Sequence, residues 1–226
     1  MKTITANSGK TCRPRYLSDS EKMTDEQLQN AYDEIADGYE KRIWFDQYIL
    51  GVARQRKRLM SKAHGKILEV ACGTGLNFPF FPAMSTITAV DVSQNMLNLA
   101  RQKASALKLN IQTQVMNAGK LEFEDETFDT VASTLSTCTF PDPLQALREM
   151  RRVCRVGGQI LLLEHGHSSV SWLANFQDRN VLQHYQQHAG CRWNQDPLDL
   201  VQSAGIKVLK STRAVLGIFY LIEGTH

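Results

Sequence analysis

From residue 66 onward, short apolar runs alternate with amphipathic stretches, and that alternation limits the folds open to the chain. Runs at 66–71, 86–91, 111–116, 128–134, 159–164, 206–210 and 217–223 read as strands. Between them, 76–81, 93–107, 143–153 and 197–204 carry apolar residues at helical spacing. Gly157-Gly158 is expected to end the third of these helices and turn the chain into the next strand. Strand–helix alternation predicts βαβ units, hence an α/β fold with a mainly parallel sheet. No helix separates the last two runs, so the final strand is predicted to pair antiparallel.

Upstream, residues 1–22 are polar and read as a flexible leader. Thr24 with Gln27 three places on makes a capping-box pattern, and Leu28, Ala31, Tyr32 and Ile35 follow at helical spacing. A second helix is predicted over about 42–60. Residues 168–196 form an insertion rich in Trp, His, Gln and Asn. The rest, 23–226, reads as one domain, because 226 residues with 42% hydrophobic content can bury a core without disulfides or a structural metal.

The five cysteines, at 12, 72, 138, 154 and 191, are odd in number and form no C-x-x-C pair. That argues against a disulfide framework and a zinc site, and suits a reducing, cytoplasmic setting with no metal. A net charge of +3 is too small to point to nucleic acid. No stretch approaches the roughly 20 apolar residues that span a bilayer; peripheral membrane contact stays open.

The most informative segment is Ile67-Leu68-Glu69-Val70-Ala71-Cys72-Gly73-Thr74-Gly75. An apolar strand runs into small residues at alternate positions, which let the backbone turn sharply and approach a ligand. The next strand ends in Asp91, where a carboxylate can accept hydrogen bonds from both ribose hydroxyls. A dinucleotide fingerprint has G-x-G-x-x-G spacing, whereas here Ala71, Gly73 and Gly75 fall on every second position.

That spacing, with Glu69 before it, resembles motif I of class I S-adenosylmethionine-dependent methyltransferases, E/D-x-G-x-G-x-G. Ala71 stands where the family most often has its first glycine, so the turn is expected to survive with a negative φ at Ala71. Residues 117–129 resemble the family's D/N-A-x-x-L-P-F-x-D-x-S-F-D segment, and 147–158 its L-x-E-x-x-R-V-L-K-P-G-G signature. The arginines at 148, 151, 152 and 155 in the latter read as a solvated helix face. Residues 31–40 are similar to the entry helix Y-D-x-x-A-x-x-Y-D.

The resemblance implies a Rossmann-like sheet of seven strands with helices on both faces. It also implies a helical lid over 23–62, a cofactor core over 66–164, and an acceptor side built by 168–196. S-adenosylmethionine is the implied cofactor, held by Glu69, Ala71, Cys72, Gly73, Gly75, Asp91, Val92, Met96, Asn117, Ala118, Thr134 and Leu135, under Tyr32 and Tyr39. In the family, the side chain at Asn117 and the next backbone N–H meet the adenine edge. Ser133-Thr134-Leu135-Ser136 lacks the D/N-P-P-Y/F of enzymes that methylate adenine N6 or amides.

Leu161-Leu162-Leu163-Glu164-His165-Gly166 and Ala189-Gly190-Cys191-Arg192-Trp193-Asn194-Gln195-Asp196 resemble segments of the thiol and phospholipid methyltransferases. The implied acceptor is a small molecule or lipid with a thiol, amine or quinol nucleophile. Methyl transfer from a sulfonium is an in-line displacement that rests on proximity and orientation. His165, at a strand tip, is the candidate base and Tyr39 a second catalytic candidate. His167, Tyr185, His188, Cys191 and Trp193 are weaker pocket candidates. A nicotinamide-dependent oxidoreductase and a non-catalytic cofactor-binding or RNA-interaction module remain the alternatives.

Overall fold

The computed structural model describes residues 22–226. The leader read over 1–22, apart from Lys22, and Cys12 with it, lie outside the described residues. Helix α1 (Asp25–Ile35) starts on the expected capping box. Thr24 accepts from the Gln27 N–H at 3.2 Å, and Gln27 accepts from the Thr24 N–H at 2.9 Å. A 3₁₀ turn (Ala36–Gly38) leads into short helices α2 (Tyr39–Arg42) and α3 (Trp44–Tyr48), then α4 (Val52–Met60). The single helix predicted over 42–60 is therefore two, because Gly51 enters the left-handed region at φ +72° and ends the first.

The sheet follows: β1 (Lys66–Val70), β2 (Thr86–Asp91), β3 (Ile111–Val115), β4 (Phe128–Thr134), β5 (Cys154–His165), β6 (Lys207–Ala214) and β7 (Phe219–Thr225). The helices among them are α5 (Gln94–Ala106), α6 (Pro143–Val153), α7 (Ser171–Arg179), α8 (Val181–Gln187) and α9 (Pro197–Ser203). Strand order is β3-β2-β1-β4-β5-β7-β6, parallel except that β7 runs antiparallel to both neighbours, as predicted for the final strand.

Strand residues alternate between two cores, because successive side chains leave a strand on opposite faces. Leu68, Val70, Val131, Ile160 and Leu162 pack with Leu147 and Met150 of α6 and Val201 of α9. Ile67, Ala132, Leu161 and Leu163 pack with Leu59 and Met60 of α4 and Leu97 and Ala100 of α5. Each fully buried large side chain stabilises by about 1.5–3 kcal/mol. The helices thus cover both faces, and the order reverses between β1 and β4. That switch point opens a crevice beyond the carboxyl ends of both strands.

Three local expectations change. No α-helix forms over 76–81; the segment is a turn and a 3₁₀ helix (Phe78–Phe80), with Pro79 withholding an N–H. Gly157-Gly158 does not terminate α6, which stops at Val153. It lies in a bulge of β5, where Phe128 pairs with Cys154 and Thr130 only with Gln159. At Gly158 a Cβ would sit 2.8 Å from Cys154 Sγ and 2.9 Å from two backbone oxygens, so only glycine fits. Finally, Ala71 does not keep a negative φ: it stands at +54°, with Gly73 at +55° and Gly75 at +78°.

A left-handed alanine costs about 1–2 kcal/mol. Ala71→Gly is therefore expected to hold or raise stability, relief of strain offsetting glycine's extra chain entropy. Ala71→Val is expected to lose at least about 1–2 kcal/mol, since a β-branched residue tolerates positive φ less well. Urea unfolding followed by circular dichroism decides; equal midpoints for all three proteins would show that position 71 is unstrained.

Candidate active site

The left-handed turn at the tip of β1 is held from β2. The Gly73 N–H donates to Asp91 Oδ2 at 2.8 Å, and the Ser93 N–H donates to Asp91 Oδ1 at 3.0 Å. Asp91 is 7% exposed, and burial pushes its carboxyl up to about 6 against those two hydrogen bonds. Ser93 caps α5 by accepting from the Met96 N–H, while its hydroxyl donates to Asp33 Oδ1 at 2.6 Å. Asp33 Oδ1 also accepts from the Asn95 N–H, so a carboxylate of α1 sits at the start of α5. Glu40 of α2 accepts from Thr74 of the turn at 2.7 Å and pairs with Lys103. The N-terminal helices are thus fastened at two points, to the start of α5 by Asp33 and to the turn by Glu40.

They roof a cleft. Its outer part, a cavity of about 340 Å³, is lined by Asp91, Asn117, Ala118 and Lys120, with Leu28, Val92, Met116 and Phe140 among its apolar walls. Asn117 Oδ1 already accepts from the Gly119 N–H at 2.7 Å and so folds its own turn, leaving one lone pair for a ligand. The inner part, about 50 Å³, is bounded by Tyr32, Tyr39, Gly73, Met96, Thr134, Leu135 and Thr139. Leu135, like Ala71, is held left-handed at φ +55°.

Beneath this cleft is a polar network that sequence reasoning did not anticipate. Arg56 of α4, 4% exposed, donates to Asn77 Oδ1 and to Thr134 Oγ1. Asn77 donates to Glu69 Oε1 at 2.8 Å and to Thr134 Oγ1 at 3.0 Å. Glu69 Oε2 and Arg56 Nε have no hydrogen-bond partner among the described residues. Burial pushes Glu69 up to about 8, despite the Asn77 hydrogen bond and the Arg56 charge. Glu69 therefore stands under the cleft and acts on it through Asn77 and Thr134. Cys72 and Gly75 likewise pack behind it; a Cβ on Gly75 would sit 2.5 Å from the Phe78 ring. Neither Arg56 nor Asn77 belongs to a motif, so only their burial reveals them.

A second cavity, about 720 Å³, adjoins the inner cleft. Tyr32, Tyr39, Leu135 and Thr139 line both. Its other walls include Ile35, Ile43, Leu50, Leu173, Ile218 and Phe219, with a polar group of Cys138, His165, His184, His188 and Cys191. His165 and Tyr39 thus share one cavity. Burial pushes Tyr39 up to about 12 and Tyr32 well above its usual value, so both phenols stay protonated near neutrality. Of the weaker candidates, His188, Cys191 and Trp193 line this cavity. His167 pairs instead with Asp178 at 3.2 Å, and the Tyr185 hydroxyl accepts from the Met23 N–H. Of the four arginines, Arg148 and Arg155 are exposed as a solvated face requires, while Arg152 donates to the Leu121 and Phe123 carbonyls and pairs with Glu149, and Arg155 pairs with Asp129.

The Glu69 carboxyl, protonated up to about pH 8 when folded, binds a proton that the unfolded chain releases above about 4.5. Its contribution to stability therefore declines as pH rises through that window. Glu69→Gln is expected to flatten the decline, so that the ligand-free variant gains relative to wild type between pH 5 and pH 8 (roughly the window set by that shift). Thermal melts across that range provide the check; parallel curves would show a Glu69 that ionises normally.

Comparison with known proteins bears on what the cleft holds. A methyltransferase-domain family model matches residues 68–162, from β1 into β5. A phosphatidylethanolamine N-methyltransferase of Cereibacter sphaeroides is 34% identical over 140 residues, 59% of this chain and 68% of that protein. The mitochondrial methyltransferase OMS1 of Saccharomyces cerevisiae is 27% identical over 212 residues, 85% of this chain but only 45% of the yeast protein. A demethylmenaquinone methyltransferase of Staphylococcus aureus is 32% identical over 151 residues, covering 63% of this chain and 62% of that one. The chain spans less than two thirds of two of these three relatives. Among solved structures, an S-adenosylmethionine-dependent methyltransferase of Thermotoga maritima shares the fold, with a TM-score of 0.68, 20% identity, and 88% and 99% of the two chains covered. With the left-handed turn, Asp91 and the roofed crevice, these matches show that the chain belongs to the class I S-adenosylmethionine-dependent methyltransferases.

Proposed function

We propose that the chain transfers a methyl group from S-adenosylmethionine to an apolar small molecule or lipid bound in the 720 Å³ cavity. The observation that carries this reading is the shared wall: Tyr32, Tyr39, Leu135 and Thr139 border both the inner cleft and that cavity. Two sites that meet across one short wall suit a reaction whose rate rests on alignment.

The residues of the cleft fit an adenosyl cofactor. Leu28, Val92 and Phe140 offer apolar surface to the base, and Asn117 and Ala118 offer polar edges. Asp91, already oriented by Gly73 and Ser93, holds the sugar hydroxyls. Ala71, Gly73 and Met96 border the inner end, with Tyr32 and Tyr39 excluding water above it. When bound, the cofactor supplies an electrophilic methyl with a neutral leaving group. His165 in the acceptor cavity is placed to take the acceptor's proton, and Tyr39 positions the nucleophile as a neutral hydroxyl donor.

An apolar acceptor is supported by the cavity lining and by its surroundings. Trp44, Phe45 and Tyr48 of α3, and Trp172 and Phe176 of α7, are each at least half exposed on the two helices that contribute Asp46, Leu173 and Gln177 to the cavity. Such aromatics suit a lipid surface from which an acceptor enters. The relatives' names include acceptors of lipid and quinone type. A cytoplasmic setting is proposed from cysteine usage alone; the yeast relative is named as mitochondrial. Among the described residues no helix is long and apolar enough to cross a membrane.

Calorimetry with S-adenosylmethionine and its demethylated product is the direct test, and no heat with either would sink the reading. Asp91→Ala is expected to weaken binding by roughly 1.5–3 kcal/mol, a loss of about 10- to 160-fold. His165→Ala is expected to bind the cofactor normally but lose turnover, assayed by labelled-methyl transfer to apolar thiols, quinols and phosphatidylethanolamine vesicles. Full turnover in that variant would remove His165 from the chemistry.

A further inference from the structure

Three ligand-bearing side chains meet on the wall of the acceptor cavity. Cys138 Sγ, Cys191 Sγ and a ring nitrogen of His165 all lie within 4.8 Å of one another, and His165 Nε2 is 3.2 Å from Cys191 Sγ. Around a tetrahedral zinc with Zn–S of about 2.3 Å and Zn–N of about 2.0 Å, sulfur and nitrogen ligands sit roughly 3.5 Å apart and two sulfurs about 3.8 Å. Cys191 and His165 are near that spacing before any ion is added, and Cys138 lies within 4.8 Å of both.

Their supports hold them there. Glu164, next to His165, accepts from the backbone N–H groups of Ser136 and Thr137 at 3.1 Å and 3.2 Å, fixing the loop that carries Cys138. The Arg192 N–H donates to the Cys138 carbonyl at 2.9 Å, and its side chain donates to the same oxygen, tying the segment of Cys191 to that loop. His184 Nε2 lies 3.3 Å from Cys191 Sγ, and its ring is stacked between His188 and Trp193 at 4.0 Å from each. Hydrogen bonds from surrounding groups to a metal's ligands orient those ligands. Cys138 and Cys191 are buried at 1% and 7% exposure, yet both border the cavity, which provides an entry path.

We propose that Cys138, His165 and Cys191 bind one zinc ion whose fourth position opens into the acceptor cavity and takes a thiol substrate. Two thiolates and an imidazole select zinc over harder cations, and three protein ligands with an open position mark a catalytic rather than a structural site. The inference rests on the cavity being the acceptor site, and it changes the part His165 plays: the imidazole holds the ion, and the ion lowers the acceptor's pKa. A thiol coordinates as thiolate and releases its proton to solvent. The thiolate lone pair then forms the new S–CH₃ bond while the methyl–sulfonium bond breaks, its electron pair staying on the departing sulfur. The product is a neutral thioether, a weak zinc ligand, and it leaves.

The ligands come from the loop after β4, the end of β5 and the segment after α8, so no local cysteine spacing announces them. The test is metal content of the full chain by mass spectrometry, then cobalt titration of chelator-treated protein, read by visible ligand-field bands and the thiolate-to-cobalt charge-transfer band. Wild type and Cys154→Ser are expected to bind close to one ion, whereas Cys138→Ser and Cys191→Ser weaken cobalt binding by at least about tenfold. Added apolar thiol is expected to shift the cobalt spectrum. Calorimetry with S-adenosylmethionine shows that each variant is folded. A wild-type protein that binds neither zinc nor cobalt overturns the proposal, as does equal cobalt binding in all four proteins. Cobalt binding without any heat from S-adenosylmethionine would uphold the metal site and sink the methyl-transfer reading.

Discussion

The structure turns on one carboxylate. Asp91 accepts the Gly73 N–H with one oxygen and the Ser93 N–H with the other, joining the turn after β1 to the start of α5. Ser93 passes the connection to Asp33 of α1, so a single chain of hydrogen bonds runs from the sheet to its roof. Charged hydrogen bonds of this kind are stronger than neutral ones. They do not fully compensate burial, because Asp91 still titrates near 6. A ligand that brings hydroxyl donors relieves that deficit. Affinity and unfavourable burial at this point are two aspects of one arrangement.

Strain is concentrated at the same place. Ala71, Gly73 and Gly75 are left-handed in alternation, and Leu135 repeats the conformation at the end of β4, across the crevice. Non-glycine residues hold such angles only when their surroundings over-determine them. Here the determinants are visible: the Cys72 N–H donates to the Val90 carbonyl, the Leu135 N–H to the Leu163 carbonyl, and Arg56, Asn77, Glu69 and Thr134 lock the strands beneath. Arg56 reaches Glu69 only through Asn77, and Arg56 and Asn77 also meet at Thr134. Asn77, bonded to Glu69 of β1 and Thr134 of β4, fixes the separation of the two strands at the switch point.

The core of this fold was readable because its signals are local. β2 and β4 fall on the predicted residues, α6 does too, and the Thr24 capping box is formed as its spacing implied. Misreadings arose where the deciding contact is distant or conformational. Gly51 inside a helical pattern and Pro79 inside another ended helices that periodicity alone would continue. Gly157-Gly158 looks like a helix stop, and its true role depends on pairing with β4. Alanine at 71 carries no mark of a positive φ. In the site, Asp91, Asn117 and the tyrosines of the entry helix could be picked out from motifs. Arg56, Asn77 and the meeting of Cys138 with Cys191 could not, because 21 and 53 residues separate partners that only the tertiary fold brings together.

The two cavities differ in how far the common fold dictates them. The cleft is made from strand ends and the turn that every register of the sheet constrains, and its polar groups are carboxylates and amides fixed by backbone N–H donors. The larger cavity takes Leu135, Cys138 and Thr139 from within the family-matched span of 68–162, but most of its lining comes from the N-terminal helices, α7, α8 and the segments after α8 and before β7, which lie outside it. They are joined to the sheet by side-chain contacts such as Gln177 with the Gly166 and Trp193 carbonyls. Substitution there leaves the Asp91 chain intact, so the lining of the larger cavity can change while the cleft is retained. The exception is Tyr32 and Tyr39, which face both cavities and ride on the helices that Asp33 fastens to the start of α5 and Glu40 to the turn. The wall between the two cavities is therefore carried by the roof rather than by the sheet.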